Sequence, residues 1–178
     1  KGTTAPDRIM SGALASLVLQ HNPGCKIVDT LDQPLVYEFL AQRYSGRVKR
    51  CAVDSNALMR AATEAGVAMA TDGSGQFVFP ELHPVTDGLF ALGRLLELLA
   101  RHAAPLSQII SELPPFYVAS GHIEGLWETK GRVMRCLINQ FSKLRHETVD
   151  GIKVYISDHE WVLIRPDNDT SMFHLTAE

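Results

Sequence analysis

The fold class follows most directly from the stretch KIVDTLDQPLVYEFLAQRYSGRVKRCAV, residues 26–53. Its first four residues, 26–29, form a short apolar run that predicts a strand, and a second such run follows at 47–53. Between them, residues 34–44 repeat apolar side chains at helical spacing. A strand, a helix and a strand in succession are typical of α/β proteins, in which helices cover a sheet.

The same alternation continues on both sides of this stretch. The pattern predicts helices over 6–20, 56–65 and 86–102 and strands over 67–71 and 76–79. The last two strands flank the turn DGSG and should pair as a hairpin. We therefore expect an α/β layer arrangement up to about residue 113.

Two of these helices carry apolar stripes that we expect to face the core. In helix 34–44 the stripe holds Leu35, Phe39 and Leu40. In helix 86–102, the most strongly patterned helix of the chain, the stripe consists of Leu89, Leu92, Leu95, Leu96 and Leu99.

The chain changes character after the α/β part. Residues 112–125, ELPPFYVASGHIEG, are rich in Pro, Gly and Ser and are our candidate boundary, so we place one domain at 1–113 and a second at 114–178. The second part holds one amphipathic helix, 127–144, followed by short runs of strand character. It should form a small sheet covered by one helix.

Composition and charge narrow the class of protein. Of the 178 residues, 46% are apolar and 21% are charged, which is ordinary for a soluble globular protein. A net charge of -3 gives no drive toward nucleic acid or an anionic membrane, and no apolar run reaches the length of a membrane span. Cys25, Cys51 and Cys136 are an odd number without metal-ligand spacing, and we expect buried free thiols in a reducing cytoplasm.

The stretch ATDGSGQ, residues 70–76, is the first candidate for a binding site. Two glycines and Ser74 leave backbone amides and a hydroxyl exposed, and Asp72 can accept hydrogen bonds from sugar hydroxyls. An ordinary hairpin turn with a solvated aspartate is the alternative, and the pattern alone favours it.

A second candidate lies near the C-terminal end, in IRPDNDTSMF, residues 164–173. Phosphate is held by a fixed guanidinium surrounded by N–H and O–H donors, and the residues of that kind are Arg165, Asn168, Thr170 and Ser171. Asp167 and Asp169 would repel a phosphate dianion. From spacing alone, a surface turn is favoured here as well.

The remaining candidates are weaker. Among the seven histidines, His83 is the one most plausibly near a ligand, and Trp127 and Trp161 are expected to pack inside the protein rather than to stack on one. The sequence carries no Ser/His/Asp triad signature, no P-loop and no GxGxxG motif.

Several stretches, in the correct order, resemble the third and fourth domains of the α-D-phosphohexomutases, the phosphomannomutase/phosphoglucomutase enzymes. TDGSGQFVF resembles the sugar-binding loop of that family, and TDGLFALGRLLELLA resembles the helix after it. The last 30 residues resemble the final domain, which ends in a phosphate-binding loop. The resemblance implies a mixed α/β third domain and a small α+β fourth domain of TATA-box-binding-protein-like fold.

The resemblance also assigns roles to residues of the first loop. Ser74 and Gly75 match the sugar-binding loop, Asp72 stands where the family has Glu, and Gln76 replaces His. The lysine and histidine of another family segment, which handle phosphate and protons, would fall at 52 and 55, where this sequence has Ala and Ser.

In the second loop, the resemblance is partial. Arg165 matches the arginine of the phosphate loop, whereas residues 167–171 replace its Ser-Gly-Thr-Glu-Pro. The implied substrate-binding residues of this loop are therefore Arg165, Asn168, Thr170 and Ser171. The implied ligand is a hexose phosphate such as mannose or glucose phosphate.

The family's phosphoserine nucleophile and its Mg²⁺-binding loop belong to earlier domains that these 178 residues do not match. The resemblance thus implies a C-terminal fragment with no catalytic residue and no cofactor of its own, with Mg²⁺ expected in the missing domain of a working mutase. Its partners would be a hexose phosphate and the upstream domains of the same polypeptide.

The segment LWETKGRVMRCL, residues 126–137, suggests a second possibility. It resembles a branch in which mutase-like domains follow a sugar-phosphate nucleotidyltransferase of the mannose-1-phosphate guanylyltransferase kind. Two hypotheses therefore stay open. The chain either contributes sugar-phosphate binding to an intramolecular phosphotransferase, or it is a degenerate, non-catalytic module with a binding, regulatory or oligomerisation role.

Overall fold

The computed structural model describes residues 4–178, which divide into two compact units. The first ends at Pro115, and the second is Phe116–Glu178. In the first unit, helices and strands alternate as α1 (Asp7–His21), β1 (Lys26–Thr30), α2 (Val36–Arg43), β2 (Arg47–Cys51), α3 (Ser55–Ala62), β3 (Val67–Thr71), β4 (Phe77–Phe79), β5 (His83–Thr86), α4 (Gly88–His102) and α5 (Leu106–Ser111).

The sheet of the first unit is mixed and confirms the predicted fold class. Its strand order is β2-β1-β3-β4-β5. The central strand β1 is parallel to both neighbours, with Val28 opposite Lys49 on β2 and Ala70 on β3. Strands β4 and β5 then add in antiparallel fashion, and the predicted hairpin around DGSG pairs Thr71 with Phe77. The carboxyl ends of β1, β2 and β3 therefore lie side by side at one edge.

The core of this unit centres on α1 and β1. Nine consecutive residues of α1, Ser11 to Leu19, are buried, so the helix is enclosed on all sides rather than on a single face. In β1 every residue from Ile27 to Thr30 is buried, which is the pattern of a parallel strand covered by helices on both faces.

The predicted apolar stripes were partly wrong. Phe39 is half exposed, while Val36 and Tyr37 are buried instead. In α4 the buried residues are Ala91 and Leu98, and three leucines of the predicted stripe are exposed: Leu89 (82%), Leu92 (52%) and Leu96 (58%). Helix α4 packs on α1 and β4 with Ala91 and Leu98 buried, while Leu92 and Leu95 line a pocket beside α1.

The second unit begins with a strand that the sequence pattern did not reveal. Strand β6 lies inside the segment 112–125 that we expected to be irregular. The unit consists of β6 (Ala119–Glu124), a 3₁₀ turn (Trp127–Thr129), α6 (Lys130–Gln140), β7 (His146–Glu147), β8 (Ile152–Tyr155), β9 (Trp161–Pro166) and β10 (Met172–Ala177). Its antiparallel sheet has the order β6-β10-β9-β8-β7, and α6 packs on β8, so the predicted small α+β domain is confirmed.

The burial of Trp127, Cys25 and Cys136 differs from what we expected. Trp161 is fully buried as predicted, but Trp127 is half exposed. Of the three free cysteines, Cys51 is buried, Cys25 is partly buried and Cys136 is exposed.

Over residues 4–178, no helix combines the length and apolar character that crossing a bilayer requires.

A buried ion pair sits at the carboxyl end of the parallel strands. Asp29 of β1 is completely buried, and its Oδ2 lies 3.0 Å from Nη1 of Arg50 on β2. The same guanidinium also donates to both carboxylate oxygens of Glu38, at 2.8 and 2.5 Å. These two carboxylates raise the pKa of Arg50 against the effect of burial, so its charge is permanent.

Removing the arginine alone should destabilise the first unit strongly. In Arg50→Met the buried charge of Asp29 would lose its counter-ion, and we expect the free energy of unfolding to fall by about 3–5 kcal/mol. Urea unfolding measures this change. Arg47→Met, at the exposed start of the same strand, is the matched control and should stay within about 0.5 kcal/mol of the wild type. Equal loss in both variants would contradict this role of the ion pair.

Candidate functional site

A small pocket, here called the polar pocket because five of its seven lining residues have polar side chains, lies at the carboxyl edge of the parallel strands. In open α/β sheets, ligands bind outside the carboxyl ends of the strands, where the connecting loops converge. Here a pocket of about 140 Å³ is lined by Thr30, Val53, Asp54, Ser55, Leu58, Asp72 and Gln76. Its size is below the roughly 300 Å³ typical of a complete small-molecule site.

The loop 72–76 owes its shape to its own aspartate. Oδ1 of Asp72 accepts from the amides of Ser74 (2.9 Å) and Gln76 (3.1 Å). Oδ2 accepts from Ser74 Oγ (2.5 Å) and Gln76 Nε2 (2.9 Å). A carboxylate has about four acceptor positions, and the loop itself fills them here. Asp72 thus organises the loop, and Ser74 stays on the exposed surface.

Two glycines make this compact loop possible. Gly73 and Gly75 have φ angles of 69° and 109°, in the region that favours glycine. The amide of Gly73 donates to Thr71 Oγ1 at 3.1 Å, and Gln33 Nε2 donates to the carbonyl oxygen of Asp72 at 2.5 Å. The loop is therefore tied both to the end of β3 and to the loop that follows β1.

The four predicted residues of this loop do not share one surface. Asp72 and Gln76 line the polar pocket, whereas Gly75 lines an apolar pocket of about 280 Å³ between α1 and α4. His83 lies on the exposed edge strand β5. The loop thus separates a polar pocket from an apolar one.

The segment after β2 carries a helix cap beside the polar pocket. Asp54 caps α3, with its carboxylate accepting from the amide of Ala57 at 2.8 Å, and Ser55 follows in the pocket wall. Burial raises the pKa of the neighbouring Cys51 thiol to about 12, which keeps it protonated and non-nucleophilic at neutral pH. This segment can offer hydroxyl and carboxylate oxygens to a ligand, and position 52 offers a methyl group.

In the second unit, the loop between β9 and β10 is also organised from within. Oδ1 of Asp167 accepts from the amides of Asp169 (2.8 Å) and Thr170 (2.6 Å), and Oδ2 lies 2.6 Å from His174 Nε2. These contacts, the one from His174 above all, hold the pKa of Asp167 well below its usual range. Two loop amides that could face an anion are thus occupied by a carboxylate of the chain.

Lys130, which the sequence pattern did not identify, also contacts this loop. Nζ of Lys130 donates to the carbonyl oxygens of Asp167 (2.6 Å) and Thr170, and it lies 4.0 Å from the centre of the Trp127 ring. Lys130 is almost fully buried. It begins α6 at the end of a polar stretch, where a solvated lysine would be ordinary, so nothing in the sequence marked it.

The predicted phosphate residues lie on this hairpin with different exposures. Asn168, Thr170 and Ser171 are exposed, whereas the Arg165 side chain is largely covered and its Nε lies 3.9 Å from Asp150 Oδ2. A pocket of about 400 Å³ next to the loop is lined by Glu124, Gly125, Leu126, Ser171 and Met172. Over residues 4–178, no cluster of three His, Cys, Asp or Glu side chains could hold a metal ion.

Residues 5–117 match the family described as phosphoglucomutase/phosphomannomutase, alpha/beta/alpha domain III. The chain belongs to the phosphoglucomutase/phosphomannomutase family.

Curated relatives extend the match over most of the chain. A probable phosphoglucosamine mutase of Methanopyrus kandleri is 26% identical over 174 residues, covering 97% of this chain and 38% of the relative. One from Methanothermobacter thermautotrophicus is 30% identical over 161 residues, covering 87% of this chain and 35% of the relative. The chain therefore spans less than two fifths of the length of the relatives it matches.

Solved structures of similar proteins share the fold of this chain. A phosphoglucomutase/phosphomannomutase family protein of Burkholderia thailandensis superposes with a TM-score of 0.79 and 25% identity, covering 97% of this chain and 37% of that protein. A putative phosphomannomutase of Thermus thermophilus shares the fold at a TM-score of 0.65 and 19% identity, over 96% of this chain and 36% of that protein.

Protonation of Asp167 should lower the stability of the second unit at acid pH. Because folding lowers its pKa from 3.8, its contribution to stability is complete above that value and is lost as pH falls further. We expect Asp167→Asn to unfold at lower urea than the wild type near neutrality, with the difference shrinking between about pH 5 and pH 2. Asp169→Asn, in the same loop, is the matched control. A difference that stays constant over this range would contradict the assignment.

Proposed function

We propose that this chain is the C-terminal, sugar-phosphate-binding part of a phosphohexomutase-family protein and that it contributes recognition rather than a catalytic group. The observation that carries the proposal is the polar pocket at the carboxyl edge of β1, β2 and β3, with the loop 72–76 on its rim. Hydroxyl, carboxylate and amide side chains converge there from the end of β1, from the segment between β2 and α3 and from the loop 72–76. Hexose hydroxyls need such a mixture, because each one both donates and accepts hydrogen bonds.

In this proposal, each loop recognises one kind of chemical group. Ser74 Oγ and Gln76 contact hydroxyls of the hexose, while Asp72 holds the loop in shape and can exchange an internal hydrogen bond for one from the sugar. Arg165, Asn168, Thr170 and Ser171 contact the phosphate group. A phosphoserine and Mg²⁺, which the chemistry of a mutase requires, would come from another part of a longer polypeptide.

The names of the relatives indicate which ligands to test. Proteins named phosphoglucosamine mutase and phosphoglucomutase/phosphomannomutase match this chain over most of its length. The hexose phosphates to test are therefore glucose 1-phosphate, mannose 1-phosphate and glucosamine 1-phosphate. We expect millimolar affinity, because the polar pocket alone is smaller than a complete site.

A second candidate function is favoured by two specific observations. The carboxylate of Asp167 already occupies the amides of Asp169 and Thr170, and position 52 lacks the lysine that the family uses. These features suit a non-catalytic module, attached to a sugar-phosphate nucleotidyltransferase, that binds a sugar, regulates its neighbour or supports oligomerisation. Mutase turnover by a longer protein containing this chain would rule out this candidate.

The sugar-binding role of Ser74 can be tested by calorimetric titration with the three hexose phosphates. We expect Ser74→Ala to weaken binding by about 3- to 10-fold, because one hydrogen bond to the sugar is lost. Ser111→Ala, an exposed serine of α5 in the same unit, is the matched control and should bind like the wild type. The absence of binding by the wild type at about 10 mM ligand would contradict the proposed function.

The two candidate functions predict different effects of the phosphate group on binding affinity. If Arg165 holds it, mannose 1-phosphate should bind at least about 10-fold more tightly than mannose, and Arg165→Ala should abolish that difference. If the loop 167–171 is closed to phosphate, the ester and the free sugar should bind equally, with no effect of Arg165→Ala. The first result supports the mutase proposal and the second supports the non-catalytic module.

A further inference from the structure

Gln33 is a buried polar side chain that contacts the proposed sugar-binding loop from behind. It is only 1% exposed. Its Nε2 donates to the backbone carbonyl of Asp72 at 2.5 Å and its Oε1 accepts from Arg8 Nε at 3.4 Å, so both ends of the amide are used. A buried side-chain amide whose hydrogen bonds are not made lowers the stability of the folded protein, so such amides are almost always paired.

The fit between Gln33 and the loop is close. A Cβ atom at position 73 would lie 1.9 Å from Gln33 Oε1, so the second loop residue must be a glycine as long as Gln33 occupies its place. The φ angle of 69° at Gly73 makes the same demand. The glutamine and the glycine therefore fix the path of the chain at the start of the loop.

The backbone that carries Gln33 is itself held in place by Arg50. Nη1 of Arg50 donates to the carbonyl oxygens of Thr30 (3.1 Å) and Gln33 (2.9 Å), and Nη2 donates to that of Pro34 (2.9 Å). The same guanidinium pairs with the buried Asp29. A continuous series of contacts thus runs from the core ion pair, through the segment 30–34, to the carbonyl of Asp72.

We propose that Gln33 is a positioning residue for hexose binding. It sets the position of the loop 72–76, and through it the placement of Ser74 and Gln76, without touching the ligand itself. A binding group must be held close to its productive position by supporting contacts, and a loop that lacks them populates other conformations that bind less well. The part of this inference that concerns affinity rests on the proposed function, and the part that concerns loop position does not.

Amide exchange with water, measured by NMR, tests the position of the loop directly. In Gln33→Met, a variant of similar length without the donor, we expect the amides of Ser74 and Gln76 to exchange about 3- to 10-fold faster, with the amides of β1 unchanged. Gln20→Met is the matched control: Gln20 also donates a side-chain hydrogen bond, but to Ser16 within α1, and its loss should not affect the loop.

A second variant covers the case in which Gln33→Met does not fold. Gln33→Ala also removes the donor and brings neither bulk nor charge toward Gly73 and the carbonyl of Asp72, so it should show the same faster exchange at Ser74 and Gln76. Unchanged exchange at these two amides in a folded Gln33 variant would overturn the inference. Faster exchange throughout the sheet as well would also overturn it, because the effect would then be general destabilisation.

Ligand binding provides the second arm. We expect Gln33→Met to weaken hexose phosphate binding by about 3- to 10-fold in the wild-type background and to have a much smaller effect in Ser74→Ala, because Gln33 acts through the placement of Ser74. Additive effects of the two substitutions would contradict positioning. If the wild type binds no hexose phosphate, the proposed function fails, and the exchange result still decides whether Gln33 holds the loop.

Discussion

The first unit depends on the ion pair between Asp29 and Arg50. Both groups lie where three parallel strands end, and Arg50 also binds the backbone of the segment 30–34. A buried pair of this kind adds little net stability compared with an apolar core, but breaking it is costly, so it penalises every arrangement in which the two strands are out of register. Its effect is to fix one geometry at the edge where the loops converge.

Both loops that resemble the family's binding loops are organised by an aspartate of their own. Asp72 accepts four hydrogen bonds from residues 74 and 76, and Asp167 accepts from two loop amides and contacts His174. An internal carboxylate keeps a loop folded in the absence of a ligand, because it satisfies donors that would otherwise be left open. It also competes with the ligand for them. For a neutral sugar this competition is mild, whereas for a phosphate dianion it adds repulsion between like charges.

Local pattern was sufficient for the strands and helices whose apolar residues recur within a few positions. It did not reveal strands β5 and β6, since β5 is exposed along its whole length and β6 lies in a segment rich in Pro, Gly and Ser and is formed by pairing with β10, about 50 residues away. In α4, leucines occur on more than one face, so only the packing partner decides which face is buried.

The sequence pattern also could not identify residues whose roles depend on long-range contacts. Gln33 contacts a residue 39 positions away and Lys130 contacts residues 37 and 40 positions away, and neither belongs to a pattern that a sequence can display. The loop 72–76, in contrast, could be located from its glycines and its position between two strands. What the sequence could not show is that the Asp72 carboxylate turns inward to its own loop.

The central claim is that the carboxyl edge of the parallel strands in the first unit is a hexose-binding surface. Mapping of backbone amide chemical shifts during titration of the ¹⁵N-labelled protein with glucosamine 1-phosphate tests it most directly. We expect shifts that saturate together at Thr30, Ser55, Ser74 and Gln76, which lie at the end of β1, at the start of α3 and in the loop 72–76. Saturable shifts confined to other surfaces, with these four amides unmoved, would contradict it.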